Sequence, residues 1–433
     1  MNARLTSILS EHFKKVLLLI FVSATFYAVL GGVQIYNDSE GYLNMSIIRL
    51  PVYALLVQVF YQENLPALLV ICQMSSVCIS IYLLINNFRK NLDLSAGWLL
   101  LLACILLYPC VFGEKIANAV LSEAIAYSLY LLVFHFFSLT LFTEKTKYVL
   151  WSLPILFLLL LTRGQFVFLV PIAVILLLWI SFKKKMWNRN LAFIVVLVAL
   201  PFLVSLTDKT YHLAANGHFV STPWTGLHLL TPVLFVSQAE DVTIFKDEEE
   251  RQFYNAIFAK LWERKLNIHH PDLAGVDKTY LYREKFTRIA NWTINDYGKE
   301  TLDNSLSADE KYIEIERLTM KMAPPLIMKN FKDWAILNFK NFLAGFGNLT
   351  ISSFYFILLI FCGVLLARRR HDNNLRILFF GSALTIANIA TVAVGMHTIK
   401  RFTFYNDWVF FLTVFLLLIA LQKSTRKTQI QRQ

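Results

Sequence analysis

Charge is scarce in this chain. Lys, Arg, Asp and Glu make up 16% of its 433 residues, against 57% hydrophobic ones, too little to clothe the surface of an ordinary soluble domain. Cysteine is scarce too. Cys72, Cys78, Cys104, Cys110 and Cys362 all fall within or at the ends of apolar blocks, which excludes a disulfide framework and a CxxC metal site and leaves packing as their use. Internal repeats, low-complexity tracts and a second domain with its own catalytic motif are also missing. Acidic residues are outnumbered 29 to 41, for a net charge of +12, but the excess sits in short loops, so nucleic-acid binding is not needed to explain it.

What the chain has in quantity is long apolar runs, with 36 Phe and a mean hydropathy of +0.53. A bilayer core of about 30 Å takes roughly 20 helical residues to cross. Ten blocks meet or approach that length: 16–35, 64–88, 95–111, 118–143, 148–162, 164–182, 190–207, 350–367, 375–396 and 402–421. The run from Val52 to Phe60, behind Pro51, is too short and is expected at the interface. The expected fold is therefore an all-α polytopic membrane protein of about ten transmembrane helices with one large extracytoplasmic loop domain. Residues 1–207 form an N-terminal module of about seven spans whose first external loop is 36–63. The loop domain, 208–348, is mainly helical, and 349–433 holds about three spans and a cytoplasmic tail. Lys14 and Lys15 precede the first block as in a secretory leader, yet that block is long, lacks a small-x-small site and ends in acidic residues, so it reads as an uncleaved span.

Loop charge orients the spans. Alternate loops carry Arg4, Lys14 and Lys15; Arg89 and Lys90; Lys145 and Lys147; Lys183, Lys184, Lys185 and Arg189; Arg368, Arg369, Arg370 and Arg376; and Lys423, Arg426, Lys427 and Arg432. The other side holds only Arg49, Lys115, Arg163, Lys400 and Arg401 outside the long loop. Both termini are thus expected in the cytoplasm, as in a bacterial inner membrane with the site facing the periplasm or exterior. Residues 208–348 carry 17 basic and 19 acidic residues and are close to neutral. Within them "FKDEEERQFYNAIFAKLWERKL" has Phe253, Ile257, Leu261 and Leu266 at helical spacing behind an acidic first turn. "LIMKNFKDWAILNFKNFLAGFG" interleaves Phe331, Trp334, Phe339 and Phe342 with Lys329, Lys332 and Lys340, as a helix lying in the interface does. His269 and His270 read as surface residues rather than metal ligands.

An ionisable residue at the centre of a span costs about 2.5 to 3.5 kcal/mol, so each one outside the cytoplasmic clusters needs a reason. Asp38, Glu40 and Arg49 follow the first span, Glu114, Lys115 and Glu123 lie around the start of the fourth, and Lys400 and Arg401 precede the last. Arg163 is constrained by arithmetic. Only 35 residues separate Lys147 from Lys183, and they must cross twice, so "LTRGQF" turns within or just under the outer headgroup layer. There a guanidinium can grip a phosphate with two hydrogen bonds, or snorkel to lipid phosphates. Glu123 is expected about 7 Å along one helix from Asn118, with Tyr127 and Tyr130 continuing a polar stripe into the bundle; a helix-start Glu favoured by the dipole is the competing reading. Carboxylates beside cations over a lipid floor suit attack by a hydroxyl with a lipid phosphate leaving.

"NDSEGYLNMS" resembles the first external loop of the GT-C glycosyltransferase superfamily, in particular polyprenyl-phosphate-sugar enzymes akin to protein O-mannosyltransferases and the lipid A aminoarabinose transferases. Asp38 and Tyr42 match that loop; Ser39 stands where Glu is usual, and Glu40 comes one place late. "VLSEAIAYSLYLLVF", "LLTRGQFVFLVP" and "KRFTFY" are similar to later motifs of the family, while residues 208–348 match none of it. The resemblance implies inverting transfer of a sugar from a polyprenyl-phosphate donor to a hydroxyl of a glycan, lipid or protein acceptor. Asp38 would take the acceptor proton, Glu40 or Glu123 would orient the acceptor or sugar, Tyr42 and Glu114 would line the substrate site, and Arg163, Lys115, Lys400 and Arg401 would hold the departing phosphate. No cofactor is implied with certainty; relatives that transfer oligosaccharides leave room for a divalent metal, though no local ligand cluster compels one. A membrane glycan polymerase or ligase working on lipid-linked oligosaccharide is the alternative. A secondary transporter fits less well, because its charges should cluster at mid-membrane on broken helices.

Overall fold

The computed structural model describes residues 10–368 and 371–431, with side chains for all of these but Arg189 and 424–431. Of the basic clusters, Arg4, Arg369, Arg370 and Arg432 lie outside the described residues, as do the side chains of Arg189, Arg426 and Lys427. Among the described residues the chain is helix and turn with no strand.

Helix α1 (Phe13–Leu30) is followed by the five-residue α2 (Ser39–Leu43) and by α3 (Pro51–Phe60), which Pro51 opens with the φ a first helical turn needs. Next come α4 (Ala67–Asn91), α5 (Ala96–Val111), α6 (Glu123–Thr143), α7 (Lys147–Leu160), α8 (Leu169–Lys184) and α9 (Trp187–Asn216). A third set begins after the 217–348 stretch: α15 (Leu349–Arg368), α16 (Asn373–Gly395), the single turn α17 (Lys400–Thr403) and α18 (Asp407–Gln431).

Among the described residues eight stretches are long and apolar enough to cross a membrane, and they make this a multi-pass membrane protein: Phe13–Leu30, Ala67–Asn91, Glu123–Thr143, Gly164–Lys184, Asn190–Asn216, Leu349–Arg368, Asn373–Gly395 and Lys400–Lys423. Two of the ten expected spans fall short. Helices α5 and α7 have 16 and 14 residues, about 24 and 21 Å at 1.5 Å per residue, under a hydrocarbon core of roughly 30 Å. Where lipid removes the hydrophobic drive for helices to associate, small polar side chains join them instead. Ser128 of α6 meets Ser76 and Ser80 of α4 at 2.5 and 2.7 Å, and Asn87 donates to Ser138 at 2.7 Å.

Helix α9 runs unbroken through the boundary expected at residue 207. The polar residues past it are satisfied by returning chain: buried Asp208 accepts from the Thr222 amide (2.7 Å) and hydroxyl (3.0 Å), and His212 sits between Asn216 and Thr222. With its polar groups paired, the helix has no reason to end at the last apolar residue.

The 217–348 stretch holds α10 (Thr225–Val236), α11 (Glu248–Glu263), α12 (Lys278–Thr287), α13 (Ala308–Lys329) and α14 (Phe331–Ala344). Side-chain caps start three of them: Asp247 accepts from the Glu249 amide, Asp277 from Thr279 and Tyr280, and Ser307 pairs reciprocally with Glu310. Phe253, Ile257, Leu261 and Leu266, expected as one helical stripe, are buried with Leu230, Tyr282 and Met322 in a hydrophobic cluster of their own; the helix itself ends before Leu266.

Candidate functional site

The segment after α1 is shaped by hydrogen bonds to a distant turn. Gly32, at φ 68°, lets the chain reverse. Gln34 then pairs across to residues 118–120, its amide donating to the Asn118 carbonyl (2.7 Å) and its carbonyl accepting from Val120 (3.0 Å). The Asn118 side chain donates to the carbonyls of Ala28 and Gly32, both at 2.6 Å, and so closes the end of α1. This corrects the expectation that Asn118 and Glu123 share a helix: residues 112–122 are turns, and α6 begins at Glu123. Asn118 is spent on backbone carbonyls that a continuing helix could not have reached.

Asp38 stands before the first turn of α2, between two guanidiniums. Arg49 Nη2 lies 3.0 Å from Asp38 Oδ1, and Arg401 Nη1 lies 2.9 Å from Oδ2. Arg49 crosses α2 at Gly41, where a Cβ would come within 2.6 Å of its Nε, and continues over the Tyr42 ring at 4.8 Å. Arg401 also reaches Glu123 through its Nε, and Arg163 Nη1 sits 2.8 Å from the same Oε1. Glu123 is 1% exposed at the N-terminus of α6, where the helix dipole favours a carboxylate. Its Oε2 is buried with no hydrogen-bond partner among the described residues, a condition that asks for an explanation. Tyr42 donates to Ser122 at 3.2 Å, and the Arg163 guanidinium rests over Phe402 at 5.2 Å.

One chain of charges results, Arg49–Asp38–Arg401–Glu123–Arg163, drawn from four separate stretches of sequence. Its three guanidiniums and two carboxylates leave one positive charge uncompensated. Burial alone would raise the Asp38 carboxyl, but Arg49 and Arg401 outweigh it and hold this group below the usual aspartate range.

Of the candidates read from sequence, Asp38, Tyr42, Glu123, Arg163 and Arg401 are brought together. Glu40 is not: it is exposed, and no ion pair among the described residues includes it. Glu114 and Lys115 are likewise exposed and without an ion pair among the described residues; Lys115, at φ 48°, lines a groove of about 220 Å³ with Tyr27, Gln34 and Asn118 instead. Lys400, next to Arg401, turns the other way and pairs with Asp407 at 2.5 Å. Tyr127 and Tyr130 do continue below Glu123 into the bundle, donating to the Leu106 carbonyl and to Asn406. Arg49 and Gly41 are site residues that sequence reasoning left out. The available signal was a lone cation eleven places after Asp38, with only Glu40 charged between them.

Among the described residues no group of three or more His, Cys, Asp or Glu side chains is placed to hold a metal ion. The two central carboxylates each face guanidiniums, a setting that suits an anion and not a divalent cation. His269 uses its Nε2 on the Val236 carbonyl at 3.0 Å. Compared with family models, curated proteins and solved structures, the chain matches none.

Proposed function

We propose that this protein is an inverting glycosyltransferase that moves a sugar from a polyprenyl-phosphate donor to an acceptor hydroxyl at the outer face of a bacterial inner membrane, with 208–348 as an extracytoplasmic domain over the site. The supporting observation is the five-membered charge chain with its surplus of one guanidinium at one end of the helix bundle. A lipid phosphate brings negative charge to that surplus, and Arg401 and Arg163 present planar forks suited to it. Once the phosphate draws on Arg401, Asp38 keeps only Arg49 and becomes a better proton acceptor. The acceptor oxygen attacks the anomeric carbon while Asp38 takes its proton. The bond from that carbon to the phosphate oxygen breaks with its electron pair leaving on the phosphate, whose growing charge Arg163 and Arg401 meet. Glu123 Oε2 accepts a hydrogen bond from a sugar hydroxyl.

The experiment is radiolabel transfer by purified protein from a panel of polyprenyl-phosphate sugars, with Asp38→Asn and Glu40→Gln alongside. Base catalysis is worth about 10² to 10⁴ in rate, so Asp38→Asn is expected to lose that much while Glu40→Gln stays near wild type. Folded wild-type protein that transfers nothing and does not bind polyprenyl phosphate overturns the proposal.

A further inference from the structure

Helix α14 has two unlike faces. The inner face buries Leu337, Asn338 and Asn341. Asn341 is tied to the turn that leads into Arg401: its Nδ2 donates to the carbonyls of Ala393 (3.1 Å) and Met396 (2.7 Å), its Oδ1 accepts from the Thr398 amide (3.1 Å), and the Thr398 hydroxyl donates to its carbonyl (2.7 Å). Gly345, just past the helix, has no room for a Cβ against Ile389 and Thr398, so the contact is close. The outer face carries Phe331 and Phe339, 61% and 60% exposed, with Lys332 and Lys340 beside them, and the end of α13 just before it adds Met328, 80% exposed, and Lys329.

Among the described residues no other segment covers this stripe. Phe331 and Phe339, flanked by lysines and joined by four residues to the membrane span α15, give this helix the make-up of one lying in a lipid headgroup layer. Lysine there favours anionic lipid. Gly347, at φ 89°, supplies the turn between the helix in the interface and the span.

We infer that α14 docks on anionic phospholipid at the end of α15 and, through Asn341 and Thr398, seats the turn that delivers Arg401 to Asp38 and Glu123. The lipid contact stands apart from the reaction proposed above; only the use made of Arg401 rests on it. To test it, Phe339→Cys is labelled with bimane in the full chain, reconstituted into nanodiscs of phosphatidylcholine or of its equal mixture with phosphatidylglycerol, each containing lipid with a headgroup nitroxide. Asp303→Cys serves as the comparison. Quenching at 339, stronger with phosphatidylglycerol and equalised by Lys329→Gln/Lys332→Gln/Lys340→Gln, is expected, with little at 303. Equal, weak quenching at both positions, or quenching indifferent to phosphatidylglycerol, overturns the docking. In a second arm, Phe331→Ser/Phe339→Ser should speed hydrogen exchange of the Thr398 amide in the mixed discs; an unchanged rate overturns the seating. Positive results in both arms beside an enzyme that transfers no sugar would sink the transferase reading and leave this one intact.

Discussion

Arg401 spans two carboxylates that lie 85 residues apart in sequence, and its partners divide the site into an accessible half and a buried half. Asp38 has a partly exposed side chain; Glu123 does not. The two halves call for different tests. The folded Asp38 carboxyl is held below its ordinary value by Arg49 and Arg401. Its ion pairs therefore contribute fully above the unfolded value of about 3.9 and are lost as pH falls through the lower folded one. The difference in thermal stability between wild type and Asp38→Asn is expected to persist down to that region and vanish below it; a difference that fades near neutrality would mean the carboxyl is not held by the two guanidiniums. For Glu123, removing a partner leaves a buried charge. Arg163→Gln leaves Glu123 with Arg401 as its one remaining partner, so it should destabilise by less than the roughly 3 to 5 kcal/mol of a fully uncompensated buried charge, and Glu123→Gln added to it should restore part of the loss. Arg163→Lys keeps the charge but not the fork, so kcat/KM for the polyprenyl-phosphate sugar should fall about 10- to 100-fold, from the roughly 1.5 to 3 kcal/mol of a charged hydrogen bond. Unchanged kcat/KM in that variant would reduce Arg163 to a structural counter-ion.

At the scale of elements, the site depends on how short irregular segments are fastened to long helices. The reversal after α1 is held by Asn118, whose amide satisfies two carbonyls at once. Asn118→Ala should cost roughly 1 to 3 kcal/mol, since the Gly32 carbonyl would lose its side-chain donor and the Ala28 carbonyl would keep only the Gly31 amide. A loss of only a few tenths in chemical unfolding would show that the turn is held by the Gln34 pairing instead. The sequence announced these segments as the ends of apolar runs, and it marked Asp38, Glu123, Arg163 and Arg401 because charge is rare in such surroundings. Which of the rare charges meet was not legible. Lys400 and Arg401 are neighbours with the same sign, yet the α17 turn sends one to Asp407 and the other to Asp38 and Glu123. Glu40 is two residues from Asp38, and the tight turn of α2 points it elsewhere. Periodicity could not resolve this, because a helix of five residues has no second turn to compare with the first.

For the whole molecule, the loop charges predict the orientation. Cysteines introduced at Asn37 and Asp303 should react with impermeant maleimide from outside intact cells, and one at Asn373 only after lysis. Labelling at 373 in intact cells would reverse the orientation and put the charge chain on the cytoplasmic side. Composition was enough to establish a helical multi-pass membrane protein, because backbone groups in lipid must be satisfied within the segment and so force apolar runs into helices. It also located most of the irregular boundaries, since charge is expelled from the runs between them, though not the end of α9 or the start of α6. What it could not supply was the number of full-length spans. Blocks such as 95–111 and 148–162 are apolar enough, but helix length depends on where the turns fall, and those are set by tertiary partners. The same holds for the charge chain. Three guanidiniums and two carboxylates, spread from Asp38 to Arg401, form one connected group only because the packing of α1, α6, α8 and α18 brings four loops to a single end of the bundle, where each buried charge finds the partner it cannot do without.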